Sequence, residues 1–197
     1  LPLFFRNAMD ESAISCNMAI SVVAALSLGV YDLIIKHASQ EHIERYAIPV
    51  SSGEWCGTMC LTEPHCGTDL GLIKTKAIPQ DDGSFLITGT KIFITAGDHD
   101  LSDNIIHMVL AKLPDAPEGS RGISLFLVPK FLDDGDGLSS QINGTSISGI
   151  EEKMGLHGSP TCVLNFDSSK GWIMGEANTG MAKMFEMMNR ERLATGM

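Results

Sequence analysis

The sequence predicts an α+β chain in which helices flank an antiparallel, β-barrel-like middle domain. Apolar residues recur at helical spacing before Pro49 and again after residue 175. Between these segments glycine is frequent, and short runs of Val, Ile, Thr and Phe are separated by turn residues. No helical pattern is interleaved with those runs, which favours a barrel or sandwich over a parallel sheet. We therefore divide the chain into segments 1–48, 49–174 and 175–197.

The N-terminal segment predicts two helices. Ile14, Met18 and Val22 follow helical spacing, so the first helix should run from about residue 10 to residue 37, with a possible break at Gly29. A second helix near residues 40–46 should stop before the proline at position 49, because the residue ahead of a proline disfavours helical geometry.

The apolar part of the first helix bears on membrane insertion. The run at residues 13–28 is shorter than the ~20 residues that span a bilayer, and it contains Ser15, Asn17, Ser21 and Ser27. We therefore expect a buried helix and no membrane span.

The middle segment predicts seven short strands and one loop. The candidate strands are 55–62, 73–78, 85–89, 91–95, 105–113, 122–129 and 161–166. Asp81-Asp82-Gly83 is a strong hairpin signal between the second and third strands. Residues 132–148, with their acidic cluster, should form a surface loop that leads into an irregular strand.

The final segment, 176–197, returns to helical spacing. One apolar stripe is expected to pack against a neighbouring helix. Its members are Met181, Met184, Phe185, Met188 and Leu193.

The charge balance limits the class of partner. Lys and Arg number 14 against 24 Asp and Glu, which gives a formal net charge of -10. Nucleic-acid binding needs a basic face, so we expect no nucleic-acid partner. An anionic ligand would need a few placed cations, for which Lys183 and Arg192 are candidates.

The cysteines indicate a reducing compartment. There are five of them, without a Cys-x-x-Cys pair, so a cytoplasmic protein without disulfides is the expectation. Cys56, Cys60, His65 and Cys66 lie close together in sequence and leave a metal site open as an alternative. Their spacing fits no compact zinc knuckle, which favours ordinary strand cysteines.

The candidate site lies at two strand ends, 59–71 and 91–97. Both segments pass from a strand into polar, turning backbone, which suits a flat ligand with a polar edge. Strand alternation would place Phe93 and Thr95 on one face. Gly67 permits close backbone approach, and Thr68 adds a hydroxyl suited to a phosphate or pantetheine. From spacing alone, ordinary strand and core roles remain the stronger interpretation.

Ordered motifs recur from residue 53 to the end of the chain. They are Gly53-Glu54-Trp55, Leu61-Thr62-Glu63-Pro64, Gly89-Thr90-Lys91, Ile94-Thr95, the runs 122–129 and 153–162, and Asn189-Arg190-Glu191-Arg192-Leu193. Together these motifs resemble the acyl-CoA dehydrogenase family. Gly53-Glu54-Trp55 and the run 123–131 are most similar to the long subgroup that includes 3-methylmercaptopropionyl-CoA dehydrogenase.

The resemblance implies FAD-dependent α,β-dehydrogenation of an acyl-CoA thioester. In such enzymes a carboxylate removes the α-proton, hydride passes from the β-carbon to the flavin, and electrons go on to an electron-transfer flavoprotein. A homodimer or homotetramer is implied for the full-length protein. Matching positions assign cofactor contacts to Met59, Cys60, Leu61, Thr62, Thr68, Phe93, Ile94 and Thr95. They assign substrate contacts to Thr68, Asn189 and Arg192.

Three residues depart from the family pattern. Phe93 stands where Trp is frequent, Ala96 where Asn is frequent and His157 where Arg is common. Contacts made by those family side chains are therefore not carried over to this chain.

No catalytic residue is assigned. The chain begins with Leu and stops within a helical pattern, so we expect a piece of a longer protein, with the catalytic base beyond residue 197. Glu191 is a weaker candidate for the base. Such a piece should bind flavin poorly and show no turnover by itself. A flavin-dependent acyl-CoA oxidase and a non-catalytic β-domain remain alternatives.

Overall fold

The computed structural model describes residues 3–133 and 137–195. Among these residues, three α-helices lie towards the two ends of the chain: α1 (Leu3–His37), α2 (Gln40–Ser52) and α3 (Gly180–Thr195). The strands lie between α2 and α3, as the sequence predicts.

Helix α1 is kinked at Asn17, whose backbone is extended (φ -156°, ψ 94°). The Asn17 side-chain oxygen accepts a hydrogen bond from the backbone N–H of Ile20 at 3.2 Å. This is the geometry of a helix N-cap, so a new helical segment begins at the kink. The prediction of a break at Gly29 is therefore wrong.

Gly29 instead provides close contact between α1 and α3. A Cβ atom at position 29 would lie 2.8 Å from Cγ of Met187, which is closer than real side chains approach. Met187 and Met184 on α3 are both buried, whereas Phe185 is 39% exposed. The predicted stripe is thus shifted: Met187 replaces Phe185 in the core, and the side chain of Leu193 lies outside the described residues.

One helical segment, Ala8–His37, is long and apolar enough to cross a membrane by length and composition. This segment is longer than the apolar run of residues 13–28 from which the sequence predicts a buried helix. Core helices meet the same criterion, and Val30, Leu33 and Ile34 in this segment are fully buried within the fold.

Helix α2 continues through Pro49, although the sequence predicts that it ends earlier. Val50 is buried after the proline, and Gly53 closes the helix in the left-handed conformation (φ 85°). Tertiary packing and a favourable C-terminal residue therefore outweigh the local effect of proline.

The described part of the β-domain contains nine strands. They are β1 (Trp55–Cys60), β2 (Lys76–Pro79), β3 (Phe85–Thr95), β4 (Asn104–Lys112), β5 (Ile123–Pro129), β6 (Phe131–Asp133), β7 (Leu138–Ile142), β8 (Thr145–Ile150) and β9 (Thr161–Ile173). The two predicted strands at 85–95 form one long strand. The hairpin between β2 and β3 is confirmed.

Strands β2, β3, β9, β5 and β4 form a closed series of neighbours. Antiparallel pairs join β2 to β3, β3 to β9, β9 to β5 and β5 to β4, and β2 meets β4 again at Lys76 and Lys112. Strand β1 runs parallel to β4 along the edge of β4 that is opposite β5. The α+β class with a barrel-like middle domain is confirmed, and the departures from antiparallel pairing are the parallel contacts of β1 with β4 and of β2 with β4.

Strands β4 and β5 are buried on both faces because they separate two apolar cores. One core lies against the helices and includes Met108, Leu110 and Leu125. The other lies inside the ring of strands and includes Val109 and Phe126.

The segment predicted as a surface loop is more ordered than expected. Strands β6 and β7 pair with each other, and β8 pairs with β9. The prediction of a loop over 132–148 is therefore wrong in the described part. Residues 134–136 of the acidic cluster lie outside the described residues.

Candidate functional site

The two predicted strand ends meet directly. The backbone N–H of Ile92 donates to the carbonyl oxygen of Thr62 at 2.9 Å. The Lys91 ammonium donates to the carbonyl oxygen of Leu61 at 3.0 Å. Segments 59–62 and 93–95 therefore border one another, which the hypothesis of a shared site requires.

A buried ion pair fixes this junction. Oε1 of Glu63 lies 2.8 Å from Nζ of Lys91, and both side chains are almost completely buried. Oε1 also accepts from the backbone N–H of Thr75 at 3.1 Å and from its hydroxyl at 2.6 Å. Oε2 accepts from the backbone N–H of Lys74 at 2.7 Å. One carboxylate thus ties the end of β1 to β3 and to the segment that leads into β2.

The protonation of Glu63 reflects this network. Burial acts to raise the pKa of Glu63, but the Lys91 ammonium and hydrogen bonds from Lys91, Thr75 and Lys74 outweigh it and lower the pKa. Burial lowers the pKa of Lys91, against the attraction of Glu63. The carboxylate is therefore ionised near neutral pH.

Phe93 occupies a β-bulge beside the junction. The register of β3 against β9 shifts between Lys91 and Ile94, where two residues of β3 oppose one of β9. Phe93 has a positive φ of 60° and is 58% exposed. The bulge interrupts strict alternation, so the inference that Phe93 and Thr95 share a face because they are two residues apart is not valid here.

Ala96 adds a second unusual conformation, with φ of 54°. Its backbone N–H donates to the carbonyl of Pro160 at 2.7 Å, which holds the end of β3 against the segment preceding β9. Positive φ is costly for residues with a Cβ atom, and bulky side chains rarely adopt it. Strained backbone at both Phe93 and Ala96 is typical of a ligand-binding edge.

Three predicted threonines have uncommitted hydroxyls. Within residues 3–133 and 137–195, the side-chain oxygens of Thr62, Thr68 and Thr95 accept or donate no hydrogen bond. Thr62 and Thr95 are half-buried and Thr68 is exposed. By contrast, the Thr90 hydroxyl donates to Asn165 at 2.8 Å. The free hydroxyls are available to the polar edge of a ligand.

Other predicted cofactor residues point into the cores. Cys60 and Ile94 belong to the core inside the ring of strands, and Leu61 belongs to the core against the helices. Met59 is partly buried against the core that faces the helices. Cys60, Leu61 and Ile94 could therefore meet a ligand only through their backbones.

The predicted substrate residues on α3 contact each other. Nη1 of Arg192 donates to the side-chain oxygen of Asn189 at 3.2 Å, and its guanidinium lies 5.8 Å from the centre of the Phe185 ring. Among the described residues, no hydrogen bond or ion pair joins Thr68 to Asn189 or Arg192. Glu191 is half-buried.

The metal alternative takes a different form in the structure. Cys60 is fully buried in the core, away from solvent. The ligand atoms of Glu63, His65 and Cys66 lie within 4.8 Å of one another. Thus Glu63 replaces Cys56 and Cys60 in the cluster that sequence spacing suggested.

The structural role of Glu63 and Lys91 does not follow from the sequence pattern. Both residues belong to motifs shared with the family, but they are 28 residues apart in sequence. A lysine in the middle of an Ile- and Thr-rich strand was the available signal, since a buried lysine requires a partner.

Comparison with known proteins identifies the protein family. Residues 58–169 match the family described as "Acyl-CoA dehydrogenase, middle domain". This match covers more than half of the chain, and it includes the Thr62–Ile92 junction. The chain belongs to the acyl-CoA dehydrogenase family.

Individual relatives agree with this class. The chain is 44% identical over 196 residues to 3-methylmercaptopropionyl-CoA dehydrogenase of Ruegeria pomeroyi, covering 100% of this chain and 33% of that protein. It is 44% identical over 205 residues to a butyryl-CoA dehydrogenase of Syntrophomonas wolfei, covering 100% of this chain and 34% of the relative. The chain thus spans about a third of these curated relatives.

A solved structure agrees with the fold. Butyryl-CoA dehydrogenase from Megasphaera elsdenii superposes with a TM-score of 0.72 at 27% identity, over 89% of this chain and 43% of that one.

Proposed function

We propose that this chain supplies the flavin-binding β-domain of an FAD-dependent acyl-CoA dehydrogenase. One observation carries the proposal: the Ile92-to-Thr62 hydrogen bond of 2.9 Å joins two strand ends beside an exposed aromatic ring in a strained bulge. Family membership and the names of the matched relatives support the same reaction.

The donor set at this edge fits a flavin. An isoalloxazine ring has a flat apolar face and a polar pyrimidine edge. Phe93 offers an exposed aromatic surface, and Thr62 and Thr95 offer uncommitted hydroxyls. When bound, FAD accepts the hydride from the β-carbon of the acyl thioester.

The residues of this chain have binding and orienting roles. Thr62 and Thr95 would hydrogen-bond the polar edge of the ring, together with backbone groups of 59–62 and 93–95. Phe93 would cover one face and exclude water from it. The Glu63–Lys91 pair would hold both strand ends in register, so that these groups need no rearrangement on binding.

For the acyl-CoA substrate we propose contacts at Thr68, Asn189 and Arg192. Thr68 lies on an exposed turn suited to a phosphate or the pantetheine. The Arg192 guanidinium supplies a permanent positive charge for a CoA phosphate, and Asn189 orients it. No residue of this chain is assigned as the base that removes the α-proton.

We further propose an electron-transfer flavoprotein as the electron acceptor, and a cytoplasmic homodimer or homotetramer as the working assembly. These proposals rest on the family resemblance. An oxidase would pass electrons to oxygen instead, and release of peroxide would reveal it.

The test uses the protein at its native length and a panel of acyl-CoA esters of different chain lengths. Under anaerobic conditions, we expect the visible flavin absorption to bleach with at least one ester, and electron-transfer flavoprotein to restore it. A colourless protein, or flavin that no ester bleaches, would contradict the proposal.

A further inference from the structure

The turn after β1 contains three potential metal ligands of different chemistry. The carboxylate of Glu63, the imidazole of His65 and the thiol of Cys66 place their ligand atoms within 4.8 Å of one another. Mixed oxygen, nitrogen and sulfur donors suit zinc and similar divalent transition metals.

The backbone pre-organises two of these ligands. Glu63 and Cys66 exchange two backbone hydrogen bonds, of 2.9 and 3.1 Å, and form an antiparallel bridge. Residues directly opposed in such a bridge project their side chains to the same side. The carboxylate and the thiol are therefore brought together by the tight turn itself.

One carboxylate oxygen retains capacity for a metal. Oε1 of Glu63 accepts hydrogen bonds from Lys91 and Thr75, whereas Oε2 accepts only from the Lys74 N–H among the residues that the structure describes. Oε2 is also the oxygen nearest His65, at 3.7 Å from Nε2. A carboxylate oxygen has two lone pairs, so Oε2 could bind a metal without breaking the Lys91 ion pair.

His65 is the adjustable member of the cluster. Its side chain is 37% exposed, and Nε2 interacts with the carbonyl of Leu72 at 3.0 Å. Bonds of ~2.0–2.3 Å around a tetrahedral zinc place ligand atoms roughly 3.5 Å apart. Rotation of this exposed ring would exchange the Leu72 contact for the metal and adjust the distances from its nitrogen to the other two ligands, and it leaves a solvent route to the ion.

We propose that Glu63, His65 and Cys66 form a three-ligand site for Zn²⁺ or a similar divalent transition metal, with water in the remaining position. The three ligands are not among the residues proposed to contact flavin or substrate, although Glu63 also holds the two strand ends together. It requires no activity of the protein and can be tested without it.

Cobalt is the probe, because Co²⁺ reports its ligands by absorption. The protein at its native length is treated with a chelator, reduced and titrated with Co²⁺. We expect one equivalent to bind with a thiolate-to-cobalt charge-transfer band and tetrahedral visible bands, and Zn²⁺ to displace it. Cys66→Ser should abolish the charge-transfer band. His65→Gln should weaken binding about tenfold or more, since even outer-sphere partners change affinity by ~10–100-fold.

Two matched variants control for adventitious binding. Cys16→Ser removes an exposed thiol and His157→Gln an exposed imidazole, both outside the cluster. Neither should change the spectrum or the affinity. Because His65 is partly exposed, His65→Gln should keep the thermal midpoint of the apoprotein. The proposal is overturned if no charge-transfer band develops, or if His65→Gln binds Co²⁺ as tightly as the unmodified protein.

Discussion

Glu63 and Lys91 form a buried ion pair, with 2.8 Å between Oε1 and Nζ, at the point where β1 ends and β3 passes beside it. Lys91 also donates to the carbonyl of Leu61, and its neighbour Ile92 donates to the carbonyl of Thr62. The pair therefore holds together the two segments on which the proposed flavin site depends. Variants of the pair test this structural role, and variants of the exposed groups test the binding role.

Removing one member of the pair should strongly destabilise the fold. Glu63→Gln or Lys91→Met leaves a buried group without its partner, and we expect a loss of about 3–5 kcal/mol in the free energy of unfolding. The double variant should be more stable than the sum of the two losses implies. Denaturant unfolding gives the free energy of unfolding for the two single variants and the double variant. Lys36→Met, which breaks the exposed pair with Glu186, is the control and should leave the midpoint unchanged. Equal effects at positions 36 and 91 would contradict this account.

The same pair predicts how stability depends on pH. The folded pKa of Glu63 lies below its ordinary value of 4.5, so the unfolded chain binds a proton first as the pH falls. The contribution of Glu63 is therefore complete above the unfolded pKa and is lost as the pH falls through the folded pKa. We expect the stability difference between the unmodified protein and Glu63→Gln to be constant near neutral pH and to shrink below about pH 4.5. A difference that grows on acidification would contradict the assigned direction.

Phe93 should strengthen flavin binding, while its positive φ lowers the stability of the fold. A left-handed conformation costs a residue with a Cβ atom roughly 1–2 kcal/mol. Glycine avoids this cost, but it loses more conformational entropy on folding, which offsets part of the gain. Phe93→Gly should therefore leave stability unchanged or raise it by about 1 kcal/mol, while the flavin content of the purified protein falls.

Ser168→Gly is the matched control for that variant. Ser168 is exposed and has a similar φ of 52°, but it lies on β9 away from the junction. It should change stability in the same direction without changing flavin content. The interpretation of Phe93 fails if Phe93→Gly retains flavin as well as Ser168→Gly does.

Elements set by periodic patterns were predictable from the sequence. The three helices, most strands, the hairpin at Asp81–Gly83 and the α+β class are confirmed by the structure. The family resemblance is confirmed by the match over residues 58–169. The division at 1–48, 49–174 and 175–197 and the ligand-binding roles of individual residues stay predictions.

Features set by single side chains or by distant contacts were not predictable from periodicity. The kink at Asn17 depends on a cap to Ile20, and Gly29 is explained only by Met187 on another helix. The bulge at Phe93 has no glycine or asparagine to signal it. In each case a tertiary or local side-chain contact outweighs the average propensity of the segment.

The central claim concerns the two uncommitted hydroxyls beside the junction, at Thr62 and Thr95. Replacing both with valine keeps their shape and removes no hydrogen bond within the described part of the chain. Each lost bond to a ligand is worth about 1 kcal/mol, so the double variant should bind flavin roughly tenfold to a hundredfold more weakly. Thr90→Val is the control. Thr90 lies on β3 with Thr95, and its hydroxyl already donates a hydrogen bond to Asn165.

The decisive measurement is the flavin dissociation constant of the native-length protein with Thr62→Val and Thr95→Val, compared with Thr90→Val and the unmodified protein. We expect weaker flavin binding in the double variant alone, with the thermal midpoint of the apoprotein unchanged. Flavin binding that is as tight in the double variant as in the unmodified protein would contradict the proposed site.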